Sequence, residues 1–259
     1  MKLPIAAIVV SHNEAHLLED CLASITFCQE ILVADMASVD ETKAVASRYD
    51  ARLLEVPLCN VVEQVYASLI CQVEQNWVLL IDPDERFTPD LQKALTQLFA
   101  TPISDSTALI QLPWHFFFKD QPLRGTVWGG QRFKTSILHK DRVWINDVVH
   151  RGLTRKPGFS SHQIEGTVHR YLAHHWAQSY GQLFVKHRRY LREEGRSLYE
   201  QGFRYSLVQQ LRKGLFAFKH SFYTKRGYRD GLTGLLLSLF WMWYVFKRWS
   251  ALKRYQQSI

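Results

Sequence analysis

Cysteine is scarce in this chain and badly spaced for a metal. The 259 residues hold 4, Cys21, Cys28, Cys59 and Cys71, and their spacing matches no zinc site. All fall in the first third, mostly beside apolar residues, so reduced, buried thiols are expected rather than a disulfide framework. Low-complexity segments and internal repeats are missing as well, which excludes repeat architectures. No apolar run reaches membrane-spanning length: the C-terminal stretch LTGLLLSLFWMWYVF, residues 232–246, is 15 residues long, against the about 20 that a spanning helix takes. The N-terminal MKLPIAAIVVSHNEA has one lysine and a short apolar run, but it breaks into polar SHNEA with no small-residue cleavage site. It reads as the first strand of a cytoplasmic protein, not as a signal peptide. Acid is short at one end only. Residues 181–259 carry 16 Lys and Arg against 4 Asp and Glu, a balance of +12, whereas residues 1–180 carry 16 against 20, or −4. A mildly acidic body with a strongly basic tail predicts an anionic surface as partner, nucleic acid or membrane.

What is present is enough for a substantial core, at 47% hydrophobic and 13% aromatic, in one large domain or one domain with an appendage. The first hundred residues alternate between two periods. IAAIVVS (5–11), EILVAD (30–35), ARLLEV (51–56) and WVLLID (77–82) read as strands. Between them HNEAHLLEDCLASI, DETKAVASRY and VVEQVYASLICQVEQ read as helices, with Asn13 and Asp40 as caps of the first two. This spacing predicts an open, mostly parallel α/β sheet flanked by helices. Ligands bind such sheets beyond the carboxyl ends of the strands. Those ends carry Ser11 with Asn13 and Glu14, then Asp35, then Asp82, Asp84 and Glu85. Residues 108–150 are aromatic runs broken by Pro and Gly and read as further, partly antiparallel strands. From about Tyr171 the chain reads as helical and basic.

Three acids in DPDE directly behind a buried strand need a reason. A strand-to-helix turn suits all four residues, with Thr88 capping the helix that follows. Behind the fourth strand of a parallel sheet, at the edge where ligands bind, a cation site is the preferred reading, because repelling carboxylates there become favourable around a hard divalent ion. Mg²⁺ or Mn²⁺ takes one or two carboxylates and fills its shell with phosphate oxygens and water, and a diphosphate leaving group needs that charge.

IVVSHNEAHLLEDCLASI, ILVADMASVDET and LLIDPDERFTP, in this order and spacing, resemble the opening strand-loop-helix, the second segment and the DxD motif of family-2 glycosyltransferases, which have the GT-A fold. HHWAQSYGQLFVKHRRY and KRGYRDGLTGLLLSLFWMWYVF resemble segments of a bacterial branch that includes lipopolysaccharide-core glucosyltransferases. The resemblance implies a GT-A-like domain over residues 1–170 and a basic helical extension over 171–259. It implies that Ser11, Asn13, Glu14 and Asp35 hold the base and ribose of a nucleotide-diphosphate sugar. Asp82 and Asp84 would be the DxD pair on a Mn²⁺ or Mg²⁺ ion, with Asp84 in direct contact and His150 or His174 available to complete its shell or touch phosphate. Function, by the same resemblance, is metal-dependent, inverting sugar transfer to a lipid-linked glycan acceptor in cell-envelope biosynthesis.

The chain departs from that branch twice. Gln64 and Val65 stand where a cation and an Asn are usual, and Arg151 follows Val149 and His150 where Glu is usual. Inversion needs a base for the acceptor hydroxyl, and an arginine, protonated at any relevant pH, cannot serve. Asp147 or His150 is the candidate base. Asp147 as a mere turn cap and an already ionised acceptor needing no base remain alternatives.

The apolar stretch 232–246 is bracketed by Lys225, Arg226 and Arg229 and by Lys247, Arg248, Lys253 and Arg254. It reads as a membrane-surface helix with Trp241, Trp243 and Trp249 at the interface, on the inner face of the membrane. Its rival is a helix packed on the protein's own core or on a second subunit in a homo-oligomer. Nucleic acid is disfavoured, since no recognised binding module is present. A nucleotidyltransferase would need a Gly-rich loop after the first strand, and SHNEAHLL has no glycine. A transferase-like scaffold at a membrane, catalytically impaired by the two departures, is the non-enzymatic alternative.

Overall fold

The computed structural model describes residues 2–58, 62–101, 105–145 and 153–259. The elements run β1 (Leu3–Ser11), α1 (Ala15–Ser24), β2 (Cys28–Asp35), α2 (Thr42–Arg48), β3 (Arg52–Glu55), α3 (Val62–Ile70) and β4 (Trp77–Ile81). There follow β5 (Glu85–Phe87), α4 (Pro89–Ala100), β6 (Thr107–Phe118), β7 (Gln121–Pro122), β8 (Arg132–His139), β9 (Val143–Ile145), β10 (Leu153–Arg155), β11 (Ser160–Gln163) and β12 (Leu172–Ala177). Three long helices close the chain: α5 (Tyr180–Glu200), α6 (Leu207–Lys219) and α7 (Gly231–Ser258). The chain forms two compact units, one of residues up to Trp114 with Gln131–His174, the other of His115–Gly130 with His175–Ile259.

The first unit is the expected α/β sheet. Its strand order starts β3-β2-β1-β4 and continues β8-β6-β12-β5; the first four strands are parallel, and β8 pairs antiparallel with both β4 and β6. The near-continuous apolar run of β1 follows from burial on both faces, as in parallel sheets generally. Its Ile5, Ala7 and Val9 pack with Leu18 and Leu22 of α1 and Leu91 and Leu95 of α4. The alternate residues Ala6, Ile8 and Val10 pack with Val65, Leu69 and Ile70 of α3. Cys21 and Cys28 are buried thiols, as expected, and burial pushes both up from the ordinary thiol range. Cys71 is exposed, because it lies just past α3, and Cys59 falls outside the described residues.

In the second unit the helices begin later than the sequence suggests: β12 occupies 172–177 before α5 starts, its N-terminus capped by Ser179, whose Oγ accepts from Gln182 N. α5 meets α7 closely because Gly195 has no side chain; a methyl there would come within 2.5 Å of Ala251 O. Glu194 of α5 accepts from Tyr244 Oη at 2.9 Å and Arg248 Nε at 2.6 Å. The tail's aromatics turn inward. Phe240, Tyr244 and Trp249 are buried, Trp249 with Leu198 and Leu252, while Trp241 and Trp243 are half-buried against Trp128 and Phe184. Trp249 is therefore not an interfacial anchor, since it serves the unit's own core. Among the described residues no helix is long and apolar enough to cross a membrane.

Asp230, of the RDG segment, fixes the loop between β7 and β8: it accepts from the backbone N–H of Arg124 and of Gly125, both at 2.8 Å. Asp230→Ala strands two donors and costs about 2–3 kcal/mol, as for hydrogen bonds to a charged group. Urea unfolding checks this, with Asp230→Asn expected to keep part of the loss from appearing.

Candidate active site

Two neighbouring parallel strands deliver the site's first half. Ser11 and Asp35 are register partners at the carboxyl ends of β1 and β2, and both are fully buried. The loops behind them are sewn together. Asn13, in the left-handed region at φ 56°, donates its N–H to Ser38 Oγ at 2.9 Å and accepts from Val39 N on Oδ1 at 2.8 Å. Ala15 N–H donates to Asp40 Oδ2 at 2.9 Å, and Ser38 N–H to Asp35 Oδ1 at 3.0 Å. Asn13 thus braces the second loop and makes no cap to α1, whose N-cap is Glu14; Asp40 holds Thr42 N and Oγ1 as well as the first loop. Two polar atoms are left over. Ser11 Oγ and Asp35 Oδ2 are buried with no hydrogen-bond partner among the described residues. Unsatisfied groups of this kind are costly, and two at neighbouring strand ends fit a ligand that supplies their partners.

The DPDE segment is a turn and a charge cluster together. Glu85 N–H donates to Asp82 O at 3.0 Å, while Asp82 N–H donates to Glu85 Oε2 at 3.1 Å. Thr88 starts α4 without a side-chain cap; its hydroxyl donates to Tyr171 O at 2.9 Å instead. Lys134, on β8, donates to Asp82 Oδ2 at 2.8 Å and to Glu85 Oε1 and Oε2 at 2.7 and 2.6 Å. Burial works against the ammonium, but the charges of Glu85 and Asp82 outweigh it and hold Lys134 protonated. Burial, then the charge of Asp82, raises the Glu85 carboxyl above its usual range despite Lys134. Asp82 keeps 43% of its side chain exposed, and Lys134 holds it below the usual range against the pull of burial.

Asp84 has a different partner. His174 Nε2 lies 3.1 Å from Asp84 Oδ2. The ring is brought there by β12, where His174 is the register partner of Glu85, and it stacks on Trp114 with centroids 4.9 Å apart and planes at 8°. Among the described residues no group of three or more His, Cys, Asp or Glu is arranged to hold a metal ion. Two side chains of ligand type converge nonetheless, a carboxylate and an imidazole, and a cation would take the place of the proton between them. That donor set suits Mn²⁺ or Mg²⁺ when phosphate oxygens and water supply the rest. Asp82 would be the weaker ligand of the two aspartates, since Lys134 already compensates it.

No family model matches the chain. An uncharacterized glycosyltransferase of Rickettsia bellii is 24% identical over 255 residues, covering 96% of this chain and 86% of the relative. One of Rickettsia felis is 24% identical over 271 residues, covering 98% and 90%. The chain is a relative of glycosyltransferases. A lipopolysaccharide core biosynthesis glycosyltransferase, LpsC, of Rhizobium meliloti is 35% identical to this chain over 104 residues, 38% of each chain. Among solved structures, glucosyl-3-phosphoglycerate synthase of Mycobacterium tuberculosis with Mn²⁺, UDP and glucosyl-3-phosphoglycerate aligns at a TM-score of 0.35 and 20% identity, over 45% of this chain and 44% of that one.

Ser11, Asp35 and Asp82 stand at the carboxyl ends of the neighbouring strands β1, β2 and β4, and Asp84 lies in the turn after β4. Asn13 and Glu14 lie in the loop behind Ser11. Asp147, His150 and Arg151 lie outside the described residues. Of the pair that replaces the usual cation and Asn, Val65 is buried in the core below α3. Lys134 was missed, for nothing in RFKTSIL marks it as the partner of acids 49 and 52 positions earlier. His174 had a signal in the HHW segment.

Proposed function

We propose that this chain is a cation-dependent hexosyltransferase that moves a sugar from a nucleotide-diphosphate sugar to a lipid-linked glycan acceptor, with inversion at the anomeric carbon. The observation that carries the reading is the Asp84–His174 pair beside the unsatisfied Ser11 Oγ and Asp35 Oδ2 on one sheet edge. Ser11 and Asp35 would bond the base and ribose, while Asn13 and Glu14 hold the loop that frames them. Asp84 and His174 would hold Mn²⁺ or Mg²⁺, with Asp82 as the second carboxylate of the motif. Once bound, the cation neutralises the diphosphate as it leaves. Lys134 compensates Asp82 and Glu85, so that Asp84 alone of the three acids would meet a cation with its charge uncompensated by a lysine.

Asp147 or His150 would take the proton of the acceptor hydroxyl, and an acceptor that is already ionised would need neither. The name of the Rhizobium relative favours a cell-envelope glycan as acceptor. A lipid-linked acceptor favours a peripheral position on the inner face of the membrane, with residues 1–170 and His174 catalytic and the basic helices of the 171–259 extension toward the lipid.

Ser11→Ala and Asp35→Asn test the nucleotide half. Each removes one ligand bond and is expected to raise the donor KM about 10-fold or more with a smaller change in kcat. Unchanged KM in both, measured on a Mn²⁺-supported transfer or donor-hydrolysis assay, would take the nucleotide away from this pair.

A further inference from the structure

The second unit has an unused apolar face. α6 is built inside out: the residues it buries are Gln210, Gly214 and Ala217. Gln210 Nε2 donates to Phe246 O and Ser250 Oγ of α7, both at 2.9 Å. Gly214 lets the Phe246 ring approach so closely that a methyl would lie 2.2 Å from it. The helix therefore packs on α7 through small and polar side chains. Its leucines are turned outward, with Leu207, Val208, Leu211 and Leu215 exposed by 60, 67, 47 and 63%. The spacing of i, i+1, i+4 and i+8 sets these four on one stripe. A contiguous apolar stripe left in water marks a contact surface.

Charge says what covers it. Residues 201–229 hold seven cations and no acid. Arg212 stands four positions after Val208, and Lys219 four after Leu215, so both exposed cations run along the edge of the stripe. A second copy of the chain would set this cationic rim against its own like. An anionic lipid surface matches both features, taking the leucines among the acyl chains and the cations among the headgroups.

We propose that the Leu207–Leu215 face of α6 is a docking surface for an anionic bilayer, a proposal that rests on the membrane-surface reading of the basic extension and moves the contact from the α7 tryptophans to α6.

Co-sedimentation of the full chain with phosphatidylcholine vesicles, with and without phosphatidylglycerol, tests it. The chain is expected to bind the phosphatidylglycerol vesicles and to be released by salt. Leu211→Glu/Leu215→Glu, two exposed positions, should lower the vesicle partition about 10-fold or more with an unchanged circular dichroism spectrum, and Arg212→Gln/Lys219→Gln should weaken the salt-sensitive part. Trp243→Ala should bind as the unaltered chain does. If the leucine variant binds undiminished, the α6 face is not the contact while the membrane reading stands. If the unaltered chain sediments with neither vesicle, both are overturned and the face belongs to a protein partner.

Discussion

Lys134→Met is expected to destabilise the first unit by about 3–5 kcal/mol at neutral pH, the range for breaking a buried ion pair by removing one partner. Glu85 is fully buried, and the ammonium at 2.6 and 2.7 Å is its counter-charge. Without it, Glu85 must either ionise unpaired in the core or stay protonated. Burial and Asp82 already raise its carboxyl above the usual range, and loss of Lys134 raises it further. The sign follows from linkage. A folded-state carboxyl raised above its unfolded value binds more protons in the native state, so stability falls as pH rises. The variant's deficit should therefore be larger at about pH 7.5 than at about pH 5, as urea unfolding at the two values would show. Lys134→Met/Glu85→Gln should recover much of the loss, because the carboxylate that needed the lysine is gone. A single variant as stable as the unaltered protein at both pH values would mean that the pair carries no such role.

Asp84→Asn has the largest expected effect on activity. Asn keeps the shape of the turn and its single carbonyl oxygen but removes the charge that, with His174, would hold the cation. Transfer should fall by about 1000-fold or more, the scale lost when charge stabilisation of a leaving group is removed. The unfolding midpoint should stay close to that of the unaltered chain, since Asp84 bonds only His174 among the interactions described for it. His174→Ala should follow in the same direction, with the loss partly relieved at high Mn²⁺ because one ligand survives. Retained transfer in Asp84→Asn would remove the cation from this residue.

Much of this architecture is readable before any coordinates. The strands β1, β2 and β4 announce themselves as short β-branched runs, and the turn reading of DPDE holds: the backbone closes the turn, while Asp82 and Glu85 gather on Lys134. What could not be read came from distant pairings. Lys134 reaches Glu85 across 49 positions because β8 folds back antiparallel on β4, and His174 reaches Asp84 across 90 because β12 pairs with β5. No local pattern encodes either contact. In the extension, period and composition mark α6 and α7 as helices but not which side of each faces inward. The aromatic face of α7 turned to the core, and the leucines of α6 were left outside, because glycine and alanine let the helices approach on the other side. Of the capping expectations, Thr88 stands at the N-cap of α4 and Asp40 accepts from Thr42 N at the start of α2, but Asn13 braces Val39 instead of capping α1, and Asp40 and Thr88 bond neighbouring segments as well.

The most direct measurement is a calorimetric titration of the full chain with UDP-, GDP- and dTDP-sugars, in Mn²⁺ and again in chelator. The account predicts that one nucleotide class binds in Mn²⁺, that chelation abolishes or strongly weakens it, and that Ser11→Ala and Asp84→Asn each weaken it separately. Binding of none of the three by folded protein, or binding indifferent to chelator and to both substitutions, would contradict it.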